Sequence, residues 1–162
     1  SLFVQTVTKE NTYSLTTNVI MFALLLFAYY VFDTANSQKN RFRLKRQGVP
    51  DYIILRKTFP QLPWGYIPNP KTLKGENGHE LFVDGWYSYG RKIHYTADLT
   101  MSFLWGVSCM TLGFIPFFYF VFFFCFLTSR AFRDERACAM KYGETWKKYT
   151  DLVPYRYIPY IF

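Results

Sequence analysis

From 99 to 128 the chain runs 30 positions without a charged side chain, and eight of the 13 residues at 114–126 are Phe. A soluble fold of 162 residues has too little interior to hide such a run. A membrane offers another solvent for it. Thirty residues exceed the roughly 20 that a ~30 Å hydrocarbon core requires, yet they are too few for two full crossings. Gly113 and Pro116 lower helix continuity in the middle of the run, which predicts a break at 112–116. Each half then rises only ~21 to 22 Å, so the run is expected to borrow from its flanks or to form a partly re-entrant hairpin.

A second apolar segment precedes it. Residues 19–32 (VIMFALLLFAYYVF) carry no charge, and residues 14–18 extend them toward spanning length. The hydrophilic residues are distributed unevenly around these segments: 11 basic residues fall in 37–97 and another 7 in 129–162. By the positive-inside tendency both basic stretches belong on the cytoplasmic face, which requires an even number of crossings between them and agrees with a hairpin. The expected fold is an all-α integral membrane protein with about three membrane segments. It divides into a transmembrane segment at 14–36, a cytoplasmic loop at 37–97, a membrane hairpin at 98–128 and a cytoplasmic tail at 129–162.

The formal charge of +8 limits the partners to nucleic acid, anionic lipid or a phosphorylated small molecule. In QKNRFRLKR, at 38–46, Lys39 and Arg43 are four apart and share a helix face, which suits either a phosphate-bearing ligand or lipid head groups. LFVD at 81–84 reads as a short extended piece ahead of Gly85, Trp86 and Tyr87. In RKIHYTAD, at 91–98, His94 and Asp98 are four apart, as are Arg91 and Tyr95. A carboxylate at the mouth of a membrane segment is costly unless paired or functional, although the stretch also reads as an interfacial anchor belt. Arg130, Asp134, Cys138 and Tyr142 recur every four positions on a helix that Gly143 should stop. Trp146 and Tyr149 follow on a second, shorter helix. This set suits a nucleotide held by charge and stacking, or an amphipathic helix resting on lipid.

Other chemistries lack their residues. Cys109, Cys125 and Cys138 form no disulfide framework, and His79 and His94 have no Cys or carboxylate at ligand spacing, so no metal site is expected. There is no GxGxxG, no Walker loop and no Ser/His/Asp arrangement.

Seven stretches occur in an order that resembles the sterol reductase family: FDTANSQKNRFR, RKTFPQLPW, VDGWY, RKIHYTAD, SRAFRDERAC, KYGETWKKY and VPYRYIPYIF. They cover 32–162, look most like the family's fungal C-24(28) branch, and match only the C-terminal part of such proteins. The resemblance implies a multi-pass protein of the endoplasmic reticulum membrane that uses NADPH to reduce the C-24(28) double bond of a sterol, the last step of ergosterol synthesis. It implies no nucleic acid partner. Lipid, the sterol and the remaining N-terminal helices are the implied partners, and a fragment of this length is expected to be inactive alone. Carried over residue by residue, the cofactor contacts fall on Lys39, Arg43, Phe82, Tyr87, His94, Tyr95, Arg130, Asp134, Cys138, Ala139, Met140, Lys141, Tyr142 and Tyr149. His94 stands where many members have Asn and Tyr87 where many have Trp, and both departures favour the C-24(28) branch. Because an isolated alkene needs a proton as well as a hydride, Tyr95 and Asp98 are the candidate proton path. The alternatives are a C-14 or C-7 sterol reductase and a non-catalytic membrane receptor of the lamin-B-receptor type. A membrane methyltransferase would carry an Arg-His-Pro-x-Tyr stretch whose Pro position is not filled here.

Overall fold

The computed structural model describes residues 13–56, 62–75, 78, 80–109 and 114–157. The chain is mostly helical. Helix α1 is Leu15–Arg46, α2 is Asp51–Arg56, α3 is Ile93–Ser108, α4 is Phe117–Tyr142 and α5 is Glu144–Leu152; strands β1 (Thr72–Lys74) and β2 (Glu80–Phe82) and a 3-10 turn (Gly85–Ser88) lie between α2 and α3.

Helix α1 begins at Ser14, whose hydroxyl accepts the Thr17 N–H at 3.2 Å. Its last turn holds Arg43, Lys45 and Arg46, which favour the negative end of the helix dipole. The 32 residues span about 48 Å, so the apolar segment and QKNRFRLKR form one continuous rod. Only 11 % of its apolar window is buried, which separates α1 from the core helix of a soluble protein. Among the described residues it alone is long and apolar enough to cross a membrane. The sequence led us to expect about three such segments. Helix α3 has 16 residues, about 24 Å, and the uncharged part of α4 is shorter still before Arg130 interrupts it.

The two later helices nonetheless pack antiparallel against each other. Phe103 of α3 meets Phe117 and Phe120 at the start of α4, while Tyr95 and Leu99 pack against Leu127 and Ala131 further along. Gly106 allows the close approach: a Cβ there would lie 2.8 Å from the Phe117 ring. Part of the predicted break at 112–116 lies outside the described residues, and 114–116 is a turn. Many of the Phe rings point outward; Phe114 is 91 % and Phe118 74 % exposed.

Helix α1 packs on α3 through Val31, Ala35, Ile93 and Ala97, with Phe82 and Tyr87 closing this core. The loop of the sequence reading is therefore more structured than its Pro and Gly content suggested. Strands β1 and β2 pair antiparallel, with Leu73 opposite Leu81. A polar pin ties the loop to α1. Gln38, buried in α1, donates to the Trp64 carbonyl at 2.7 Å and accepts the Trp86 N–H at 3.1 Å, and the Trp86 indole donates to Thr34 at 2.8 Å. Gly85 has φ +57, and a Cβ there would collide with the Gln38 side-chain oxygen, so only glycine fits this pin.

Candidate functional site

Helices α1, α4 and α5, β2, the 3-10 turn and the residues just before α3 enclose a cleft of about 460 Å³. That lies within the range of small-molecule sites, ~300 to 1,000 Å³. Each wall follows from local periodicity. Lys39, Phe42, Arg43 and Arg46 recur every three or four residues, so α1 presents them together. Arg130, Asp134, Cys138 and Tyr142 do the same on α4, which continues without interruption from the Phe-rich run into the charged tail. Gly143, with φ +50, ends α4, and its N–H reaches the Ala139 carbonyl at 3.0 Å. Helix α5 then turns Trp146 and Tyr149 back toward the cleft. Phe82 arrives on β2 and Tyr87 on the 3-10 turn, which Asp84 caps by accepting the Gly85 N–H at 2.7 Å.

Of the residues singled out from sequence, Lys39, Arg43, Phe82, Tyr87, Arg130, Asp134, Cys138, Tyr142 and Tyr149 line the cleft. His94 stands behind Tyr87, whose hydroxyl is 3.3 Å from His94 Nδ1. Tyr95 is buried between α3 and α4, edge-on to His94 and near Tyr157. Asp98 lies one turn beyond His94 and does not line the cleft. Nor do Ala139, Met140 and Lys141, because a helix shows one face to a neighbour and these positions point away; Met140 is 83 % exposed. Trp146, paired with Tyr149 from sequence, lines it too, as does Arg91, which the sequence marked only for its spacing from Tyr95; sequence reasoning missed Phe42, Arg46, Glu80, Lys92 and Glu135. Phe42 and Arg46 were recoverable from the helical spacing around Lys39 and Arg43. Glu80, Lys92 and Glu135 are placed by contacts across the fold and carried no local signal.

Electrostatics make the cleft a candidate anion site. Six cations line it (Lys39, Arg43, Arg46, Arg91, Lys92, Arg130) against three carboxylates (Glu80, Asp134, Glu135), leaving three positive charges in excess. The carboxylates are all engaged: Glu80 with Lys74 at 4.0 Å, Asp134 with Lys92, and Glu135 with Arg91 and Arg156. Among the described residues, Arg43 and Arg130 have no carboxylate partner, while the Lys39 ammonium lies 5.3 Å from the centre of the Tyr87 ring. Burial, with Arg43 and Lys92 nearby, pulls Lys39 down to about 8. Burial, with Lys39, Lys92 and Arg130 adding repulsion, drives His94 down to about 3, so its ring is neutral at physiological pH. Burial pushes the Tyr87 hydroxyl up and Tyr149 up to about 12. Partial burial works to raise Asp134, but the hydrogen bond and charge of Lys92, with Arg130 and Lys39, hold it below the usual carboxylate range. A ligand carrying several negative charges and a flat ring fits this set: the uncompensated cations take the charges, and Phe82, Tyr87, Tyr142, Trp146 and Tyr149 offer ring faces. Among the described residues no group of three His, Cys, Asp or Glu side chains is placed to hold a metal ion.

Comparison with known proteins identifies related chains. The profile of the ergosterol biosynthesis ERG4/ERG24 family matches residues 3–162. The Delta(24(24(1)))-sterol reductase of Gibberella zeae is 48 % identical over 141 residues, covering 87 % of this chain and 23 % of that protein. The Delta(24(24(1)))-sterol reductase erg4A of Aspergillus fumigatus is 44 % identical over 137 residues, covering 85 % of this chain and 28 % of that protein. The Delta(14)-sterol reductase TM7SF2 of Mus musculus is 36 % identical over 139 residues, covering 86 % of this chain and 29 % of that protein. The chain thus spans less than a third of the length of these relatives, and the fungal matches lie in their C-terminal part.

Proposed function

Since the chain belongs to the ergosterol biosynthesis ERG4/ERG24 family, we propose that it forms the cofactor-binding C-terminal part of a membrane sterol reductase that uses NADPH to saturate the C-24(28) double bond. The observation that carries this reading is the cleft. It gathers an excess of three cations and six aromatic rings from elements far apart in sequence, and nine of its lining residues are those the family resemblance had marked. The higher identity to two C-24(28) reductases, 48 % and 44 % against 36 % for the murine Delta(14)-sterol reductase, supports the C-24(28) step over the C-14 step.

In this reading Lys39, Arg43 and Arg130 hold the phosphates, and Tyr87, Tyr142 and Tyr149 flank the rings. Bound NADPH supplies a hydride, and the reduction also consumes one proton. The proton goes to the exocyclic methylene carbon, which leaves the positive charge at C-24 for the hydride to quench. Tyr95 and Asp98, three positions apart on α3, serve as the proton path. His94, neutral and facing the Tyr87 hydroxyl, orients that ring without adding charge. We further propose that α1 and the α3–α4 hairpin lie in the endoplasmic reticulum membrane, with 37–97 and 129–162 on the cytoplasmic side. Additional N-terminal helices of a longer polypeptide would complete the sterol site.

The test is expression of the complete gene in a yeast strain lacking its own C-24(28) reductase, followed by sterol profiling. Loss of the 24(28)-unsaturated sterol is the expected outcome. Its persistence, with the protein present in the membrane, would refute the proposed step, and a fall in a C-14-unsaturated sterol in the matching C-14 strain would reassign it.

A further inference from the structure

Glu135 belongs to no residue set inferred from sequence, yet three parts of the chain meet at its carboxylate. Arg91, from the residues before α3, donates through Nη2 to Glu135 Oε1 at 2.9 Å. Arg156, from beyond α5, donates through Nε to both carboxylate oxygens at 3.1 and 3.0 Å. The other end of the Arg91 guanidinium donates to the carbonyls of Val153 and Pro154 at 2.8 and 3.1 Å. The main chain adds two bonds beside these, from the Arg91 and Lys92 N–H groups to the Tyr155 and Arg156 carbonyls at 3.0 and 2.7 Å. Tyr157 anchors the far end: it is 1 % exposed, packed against Tyr95, Leu99, Leu127 and Ala131, with its hydroxyl 2.9 Å from Thr128 Oγ1. Residues 153–157 therefore form a strap laid along the edge of the cleft. Arg91, Lys92 and Glu135 belong to the strap's anchorage and to the cleft wall at once.

We propose that Glu135 is a positioning residue that joins Arg91 and Arg156 into a clamp, holds the 153–157 strap in place and so presets the Arg91–Lys92 wall of the cleft for an anionic dinucleotide. The dinucleotide part of this inference rests on the function proposed above. The physical reason is charge. The side chains of Arg91 and Glu135 are only 8 % and 17 % exposed, so removing the carboxylate leaves two guanidinium groups facing each other in a poorly solvated place. One of them must swing out, and the strap or the wall moves with it. Glu135 itself touches none of the proposed reacting groups, so the loss appears in the binding of NADPH and not in the chemical step.

Glu135→Gln keeps the shape and removes the charge. In the complete membrane enzyme it is expected to raise the KM for NADPH about tenfold while kcat stays within about twofold, since a displaced binding wall weakens ground state and transition state alike. Hydrogen exchange on the ligand-free protein is expected to show faster exchange of the Arg91 and Lys92 amides. Arg156→Gln should reproduce both effects, and the double variant should be no worse than the stronger single one, because the two side chains act as one unit. Should Glu135→Gln fail to accumulate as folded protein, Arg156→Gln carries the test, its side chain being 32 % exposed. Wild-type exchange at both amides, an unchanged KM for NADPH, or additive effects in the double variant would overturn the clamp. If the wild-type protein binds no NADPH, the cofactor reading falls, and the exchange result alone decides the clamp.

Discussion

Lys39 offers a quantitative test of the cleft. Its ammonium faces Arg43 on its own helix, Tyr87 on the 3-10 turn, Lys92 and His94 from the chain around the start of α3, and Asp134 and Cys138 on α4. Burial first, and the two neighbouring cations second, lower it from 10.5 to about 8. A bound phosphate favours the charged form, so ligand binding above pH 8 must be accompanied by proton uptake. With the midpoint near 8, the charged fraction falls from about 90 % at pH 7 to about 10 % at pH 9, and the Kd for NADPH should rise about tenfold across that interval. The ligand does not confound this, because a phosphate monoester loses its second proton near pH ~6. His94 titrates near 3, Tyr149 near 12, and the thiol of Cys138 is raised from 9.0, so none of them changes charge in the same range. The assay is NADPH binding to the detergent-solubilised enzyme, by fluorescence or calorimetry, from pH 7 to pH 9. Lys39→Arg should bind with little pH dependence, since arginine stays charged throughout. A flat wild-type profile, or the same slope in Lys39→Arg, would refute the reasoning. Stability gives an independent reading with the opposite sign. Because the folded-state value is the lower one, the unfolded chain holds the extra proton between about 8 and 10.5; the fold gains stability as pH rises through that window and carries the full cost below it, about 3 kcal/mol at about 1.4 kcal/mol per pH unit. Lys39→Met should therefore raise the melting temperature at pH 7 while weakening NADPH binding at every pH.

Other consequences follow from packing and topology. Gln38→Ala removes two hydrogen bonds that tie the loop to α1, at about 1 kcal/mol each, so thermal unfolding should begin about 2 kcal/mol earlier in stability terms; an unchanged melting temperature would dismiss the pin. Gly106→Val forces the hairpin apart at Phe117 and is expected to cost about 1 to 3 kcal/mol, measured by the same unfolding assay, with a neutral result counting against the α3–α4 contact. Epitope tags placed at Gly78 and after the last residue should be cleaved by protease from the same side of sealed microsomes, and cleavage from opposite sides would exclude the membrane hairpin.

Much of this architecture was legible because it depends on near neighbours in the chain. No Pro or Gly interrupts the passage from VIMFALLLFAYYVF to QKNRFRLKR, and α1 is continuous over Leu15–Arg46. Spacing of four put Arg130, Asp134, Cys138 and Tyr142 on one face, and all four line the cleft. The same rule, applied strictly, would have removed Ala139, Met140 and Lys141 from the candidates, since consecutive helical residues cannot all face one ligand. Membrane segments were harder to count. A charge-free run of 30 residues shows that the stretch is apolar, but the structure divides it between α3, which has only 16 residues, and α4, whose 26 residues turn charged from Arg130 onward.

The sequence by itself determined the apolar segments, the helical faces, the stop at Gly143 and the excess of positive charge, all properties of composition or of a period of a few residues. Only the tertiary structure decided which charges remain free. Lys92 is neutralised by Asp134, 42 positions away, and Arg91 by Glu135, 44 positions away, whereas Arg43 and Arg130 have no carboxylate partner among the described residues. An ion pair depends on distance in space, and no local pattern records which carboxylate will fold against which cation.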